Sequence, residues 1–428
     1  MALPQGKQDR LSALSAGLTL VQSGWSAAAR ADALARLSAM GLPDKRDEYW
    51  RYTDPAALTA AKAQQAAIVD ASDETPLFDA IDRVKLVFVD GVFDAAASDD
   101  LSLAGVEIEL LSRTAALDIH WARDCYATLE ARGQWPVPRP LAALNSAFAT
   151  EGLLIRVSGR ATKPISVVYL RNAMASDVIL HHYIKIDEGA ELTLLENGPG
   201  AARLNTVLEV DIAGGARFHH IRAQGRDHER RAATHIFTRL GAASAFKSFT
   251  LSANGALTRN EAVIELLGDD AVAHVAGAAV GDGAFLHDDT VFVTHEGQRC
   301  ESRQVFKKVL KNGAVGVFQG KILVKQGAQK TDGYQISQSL MLDDDSQFLA
   351  KPELEIYADD VKCSHGSTSG AIDETALFYL RSRGVPLKDA QALLVLAFLA
   401  EAISEIEDDA ISEDIRSRLE GWLARHGG

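Results

Sequence analysis

A few stretches of this 428-residue chain carry side chains able to hold a metal, a phosphate or a reacting group. The most informative is Lys362-Cys363-Ser364-His365-Gly366-Ser367. A thiolate and an imidazole at i and i+2 share one face of an extended strand, about 7 Å apart at Cα level, near enough to enter one metal site. Two ligands do not complete a tetrahedral site, so either a second chain supplies the rest or the pair is structural. Thr294-His295-Glu296 with Cys300 is a softer candidate for a thiophilic metal, and a turn with a buried thiol is the simpler reading. His181-His182 and His219-His220 fall in strand-like runs, where neighbours point to opposite faces and cannot serve one metal. At most one of each pair faces inward, and both pairs read as ordinary strand positions. Asn312 to Ile322 comes nearest to a phosphate loop, but Val315 and Ile322 stand where a Walker A motif needs Gly and Ser or Thr. The chain is not itself a P-loop ATPase, and none of the common catalytic signatures occurs in it.

The elements that must position these residues follow from hydrophobic period. Leu11, Leu14, Leu18, Val21 and Trp25, then Leu34, Leu37 and Met40, recur at helical steps until Gly41-Leu42-Pro43. Val84 to Val89 and Val106 to Leu111 read as short strands. Trp135-Pro-Val-Pro-Arg-Pro breaks the chain and places a boundary near residue 140, with a short helix Leu141 to Phe148 beyond it. From about 151 to 371 the period is two. Gly189-Ala190, Gly215-Ala216 and Gly241-Ala242 fall 26 residues apart, a rhythm that suggests repeated coils. Proline is absent from 200 to 351, as expected where every strand is paired on both sides, so a β-solenoid is favoured over a sandwich. After Ile372 three helices are expected: one capped by Asp373, one from Leu387 to about Ile406 behind Pro386, and one opened by Ser412. The middle helix is apolar around most of its circumference from Ala392 to Ala400, which calls for burial inside the protein or against a partner. The expected domains are a helical and mixed α/β region at 1–140, a β-helix core at 141–371 and a helical unit at 372–428.

Composition narrows the function classes. With 44 Lys and Arg against 58 Asp and Glu, the net charge of -14 argues against nucleic acid and anionic membrane surfaces. Three dispersed cysteines encode neither a disulfide framework nor a self-contained zinc site, which fits a reducing cytoplasm. Leu11 to Val21 only loosely imitates a signal peptide, and the longest apolar run, Ala392 to Ala400, is too short to span a bilayer.

Lys-Cys-Ser-His-Gly at 362–366, followed by Asp373-Glu374 and Leu377-Phe-Tyr-Leu-Arg-Ser-Arg-Gly384, resembles the C-terminal signature of the SufB/SufD family, on its SufD side. Leu42-Pro43, Glu48-Tyr-Trp-Arg-Tyr-Thr53, Phe88-Val-Asp-Gly91, Ser302-Arg-Gln304, Gly320-Lys-Ile322 and Lys330-Thr-Asp-Gly-Tyr-Gln335 extend the likeness over most of the chain. The resemblance implies a mainly β fold: a right-handed parallel β-helix flanked by an N-terminal helical region and a C-terminal helical bundle. It also implies a non-catalytic cytoplasmic scaffold for iron-sulfur cluster assembly. Such a scaffold pairs with a SufB-like subunit through the end of the β-helix and docks a SufC-like ABC ATPase on its C-terminal helices. His365 inherits a role in a nascent-cluster site shared with the partner, and Cys363 a weaker one. Leu393, Leu394, Leu396, Ala397 and Phe398 are the expected ATPase-facing set. No tightly bound cofactor is expected in the isolated chain, and iron or a nascent cluster only in the complex; the isolated chain is open to homodimerisation. The competing readings are an ATPase adaptor without a metal role and a polysaccharide-processing β-helix, the latter disfavoured because all five tryptophans lie outside the strand domain.

Overall fold

The computed structural model describes residues 4–68, 75–225 and 227–426. From Leu153 to Gly370 the chain winds as a two-sheet β-solenoid of about 7 turns, with successive strands alternating between a ten-strand and a nine-strand sheet. Within each sheet the neighbours from this segment run parallel. The Gly-Ala pairs stack along one corner, where Gly189 N donates to Gly214 O and Gly215 N to Ala242 O, at 3.0 and 2.8 Å. Proline returns only at Pro352, on Gln347–Ile356, the terminal strand of the nine-strand sheet. An edge is where a missing backbone donor is tolerated.

Residues before 140 also enter the sheets. Val84–Val89 pairs in parallel with Ile165–Leu170, and Glu107–Leu110 pairs antiparallel with Leu153–Val157. The N-terminal helical stripe is interrupted. It forms two helices, Gln5–Ser15 and Ala27–Met40, and Gly17 with Ser23-Gly24 lies in the break.

Both outer faces of the solenoid are covered, so strands such as Arg203–Ile212, Arg231–Leu240 and Leu286–His295 are buried on both faces along nearly their whole length. The helix Pro140–Phe148, buried along its whole length, joins Leu37, Trp50 and Leu58 over the nine-strand sheet. The helices Leu387–Ile403 and Asp409–His426 lie on the ten-strand sheet, packing Val395, Leu399, Ile415 and Trp422 against Ile221, Phe249, Ala278 and Val305. The last helix begins three residues before the expected Ser412, because Asp408 caps it by accepting from the backbone of Ala410 and Ile411. Asp373 caps Glu374–Ser382 as expected, accepting from Thr375 N and Ala376 N. Among the described residues no helix is long and apolar enough to cross a membrane.

Candidate functional site

Cys363 and His365 lie on Lys362–Gly370, the terminal strand of the ten-strand sheet. Among the described residues its one strand neighbour is Asp332–Met341; with Gln347–Ile356 it forms the open end of the solenoid. Register fixes which way the two side chains face. Cys363 stands opposite Gly333 and His365 opposite Gln335, whose side chain is buried in the solenoid interior, so thiol and imidazole share the inward face as the i, i+2 spacing predicts. Cys363 is half-buried against the cluster of Ile322, Val324, Ala328 and Ala358, and burial pushes its thiol up from the ordinary value. A Cβ on Gly333 would lie 3.2 Å from Cys363 Sγ, so the small residue leaves the thiol its place. His365 is exposed.

Buried polar groups stand behind this pair. On successive coils Gln304, Gln335 and His365 form one register column. Gln335 Nε2 donates to Gln304 Oε1 at 2.9 Å. Ser337 and Ser339 donate to Ser367 and Ser369 at 3.1 and 3.0 Å, carrying the polar lining to the last strand. Deeper in the interior, Lys308 Nζ sits 2.6 Å from Asp289 and 2.8 Å from His287 Nδ1, and His287 Nε2 meets Asn260. Thr234 and Arg222 continue this chain to Glu196, which also receives Tyr169 Oη and His220 Nε2. Burial alone would raise the Glu196 carboxyl, but Arg222 and His220 outweigh it and hold the group well below the carboxylate range. The signal for this lining was a polar residue recurring at inward positions one coil apart, and only the register reveals it.

The other candidates do not converge. His182 and His220 face the interior, while His181 faces outward, yet it too is buried, bonded to Asn145 and Glu209 beneath the N-terminal region. His295 Nε2 meets Ser302 Oγ at 2.8 Å, Cys300 Sγ meets Gly268 O at 3.2 Å, and Glu296 pairs with Lys325. Among the described residues no group of three or more His, Cys, Asp or Glu side chains is placed to hold a metal ion.

The C-terminal apolar set divides. Leu393 and Ala397 are exposed, Leu394, Leu396 and Phe398 are half-buried, and Lys307 Nζ lies 4.8 Å from the Phe398 ring centroid. Phe378 and Tyr379 on the preceding helix and Leu387 add to the exposed apolar surface.

The family described as SUF system FeS cluster assembly, SufBD core domain, matches residues 169–398, which span most of the solenoid and reach the helix Leu387–Ile403. The chain belongs to the SufB/SufD family. It is 28% identical over 395 residues to the iron-sulfur cluster assembly protein SufD of Escherichia coli, covering 90% of each chain. It is 27% identical over 291 residues to SufD of Bacillus subtilis, covering 65% of this chain and 66% of that one. The chloroplastic protein ABCI7 of Arabidopsis thaliana is 30% identical over 252 residues, covering 56% of this chain and 52% of the relative. For a SufB/SufD chain the interior polar lining and the open end belong to the shared core, and so does most of the surface on which the last helices pack.

Proposed function

We propose that this chain is a non-catalytic scaffold subunit for iron-sulfur cluster assembly. In this reading it pairs through the open end of its solenoid with a SufB-like subunit and docks a SufC-like ABC ATPase on its C-terminal helices. A nascent cluster, the cargo rather than a resident cofactor, forms at the shared end. The observation that carries the reading is the coincidence of the exposed His365 with the two terminal strands. Among the described residues Lys362–Gly370 and Gln347–Ile356 each have one strand neighbour, and a sheet edge of this kind accepts another strand. One imidazole and one half-buried thiol are too few for a closed site, so the remaining ligands come from the partner. The chain would work in the cytoplasm without nucleic acid or membrane, and the same edge permits a homodimer when the partner is missing.

Anaerobic co-purification with the SufB-like and ATPase subunits, followed by iron and sulfide analysis, tests this. The expected result is a ternary complex that carries iron and sulfide in amounts the isolated chain does not. A complex that forms but carries neither favours the adaptor reading.

A further inference from the structure

Gln335 is fully buried, and its amide is engaged on one side only. Its Nε2 donates to Gln304 on the coil behind, while its Oε1 is buried with no hydrogen-bond partner among the described residues. A buried acceptor without a donor is costly, because its hydration is lost with nothing in return. With the nitrogen committed to the Gln304 coil, the oxygen is left for a donor from another neighbour, and the residue in register with Gln335 on the other side is His365. His365 makes no side-chain hydrogen bond among the described residues.

The facing sheet is shaped for this amide. A Cβ added to Gly320 would lie 2.3 Å from Gln335 Nε2 and 2.7 Å from its Cδ, so the amide occupies space that a side chain at 320 would take. Gly320 and Gln335 come from different sheets and meet across the interior.

We propose that Gln335 is a positioning residue for His365: its carbonyl oxygen accepts one imidazole N–H and thereby leaves the lone pair of the other ring nitrogen turned toward the open end. A metal-binding imidazole must be neutral at the ligating nitrogen, and the hydrogen bond made by its other nitrogen sets which one that is. Gln304 acts one step further back by fixing the orientation of the Gln335 amide. The proposal rests on the reading of His365 as a ligand, but it concerns the imidazole itself and is testable without iron.

The test uses the full chain labelled with 15N-histidine, in which long-range proton-nitrogen correlations report the tautomer of each imidazole. The His365 signal is assigned by its disappearance in His365→Ala. The wild-type chain is expected to hold His365 predominantly in one tautomer. Gln335→Met, which keeps the shape and removes the acceptor, should convert it to an exchanging mixture, and Gln335→Glu, which restores an acceptor, should return a single form. Gly320→Ala displaces the far end of a flexible side chain and should reproduce the Met result even if Gln335→Met folds poorly. In the co-purified complex, Gln335→Met should lower cluster content severalfold and Gln335→Glu less. An identical His365 tautomer in wild type, Gln335→Met and Gly320→Ala would overturn the proposal. Full cluster content in His365→Ala overturns instead the ligand reading on which it rests.

Discussion

Tyr49 Oη donates to Glu353 Oε2 at 2.5 Å, joining residues 304 positions apart and tying the N-terminal region to the terminal strand of the nine-strand sheet. Lys351 Nζ lies 3.9 Å from the Tyr49 ring centroid and pairs with Glu48 at 2.6 Å. The Tyr49 carbonyl accepts from Arg259 and Gln319. Glu48 to Thr53 is thus a clamp across the coils that end at the open mouth. Tyr49→Phe keeps the ring and removes the bond to a carboxylate, and hydrogen bonds to charged groups are worth about 1.5–3 kcal/mol. The variant should unfold in urea with stability reduced by about 1–2 kcal/mol, since Lys351 still compensates Glu353 at 3.1 Å. Amide exchange should rise first along Gln347–Ile356; unchanged protection there would show that the clamp does not hold the edge.

Beneath the clamp lies a group of buried charges that no surface pattern announces. Arg139 and Arg259 both pair with Glu261, at 2.9 and 2.7 Å, and Arg259 also reaches Asp288. The two guanidiniums outweigh burial and hold the Glu261 carboxyl at about 2. Removing one partner of a buried pair costs about 3–5 kcal/mol. Glu261→Gln should therefore lower urea stability far more than Glu265→Gln, whose neighbour Arg132 is solvent-exposed. Equal losses would refute the burial argument.

Acid sensitivity follows from the buried histidines. Burial lowers His182, His235 and His295 from 6.5 to about 4. Between those values the unfolded chain binds protons that the folded chain refuses, so stability is full above pH 6.5 and falls as pH drops toward 4. Glu196, depressed below its ordinary value, adds a loss of the same sign only below the usual carboxylate range. Urea midpoints measured from pH 8 to 4.5 should be level and then decline below about 6.5. A level profile down to pH 5 would mean that these imidazoles are protonated in the folded state.

The solenoid was legible because period-two runs and Gly-Ala corners are local signals, and Asp373 and Pro386 announced the helix starts in the same way. Pairing across long separations was not legible. Nothing near Val84–Val89 says that it extends the ten-strand sheet, and Arg259 or Asp288 look like surface residues until Tyr49 and Trp50 cover them. The i, i+2 spacing gave the shared face of Cys363 and His365. The amide behind His365 is 30 residues distant in sequence and emerges only from coil register.

The exposed apolar surface of the C-terminal helices gives a docking prediction with an internal control. Leu393 is half exposed, whereas Leu399, six residues on, is fully buried against the ten-strand sheet. Leu393→Glu should abolish ATPase co-purification with little change in unfolding. Leu399→Asp places an unpaired charge in the core and should destabilise the bundle. Phe378→Glu, at 74% exposure, tests whether the surface extends to the preceding helix. Wild-type ATPase capture by Leu393→Glu and Phe378→Glu together would place the docking surface elsewhere.

The last prediction separates the two inward residues of the terminal strand. His365 is exposed, so His365→Ala removes an imidazole at almost no packing cost, and the complex should assemble normally while its iron and sulfide fall severalfold or more. Cys363 differs because its side chain packs against the buried cluster around Ile322 and burial disfavours its thiolate, which is the form that binds metal. Cys363→Ala should therefore lower stability by about 1 kcal/mol through lost packing and reduce cluster content less than His365→Ala. Cys363→Val refills the space without restoring sulfur, so it should recover the stability but not any sulfur-dependent share of the cluster. Cluster content measured anaerobically on complexes of matched stoichiometry ranks the variants. A ranking in which Cys363→Val falls below His365→Ala would make the thiol, not the imidazole, the principal contribution of this chain to the shared site.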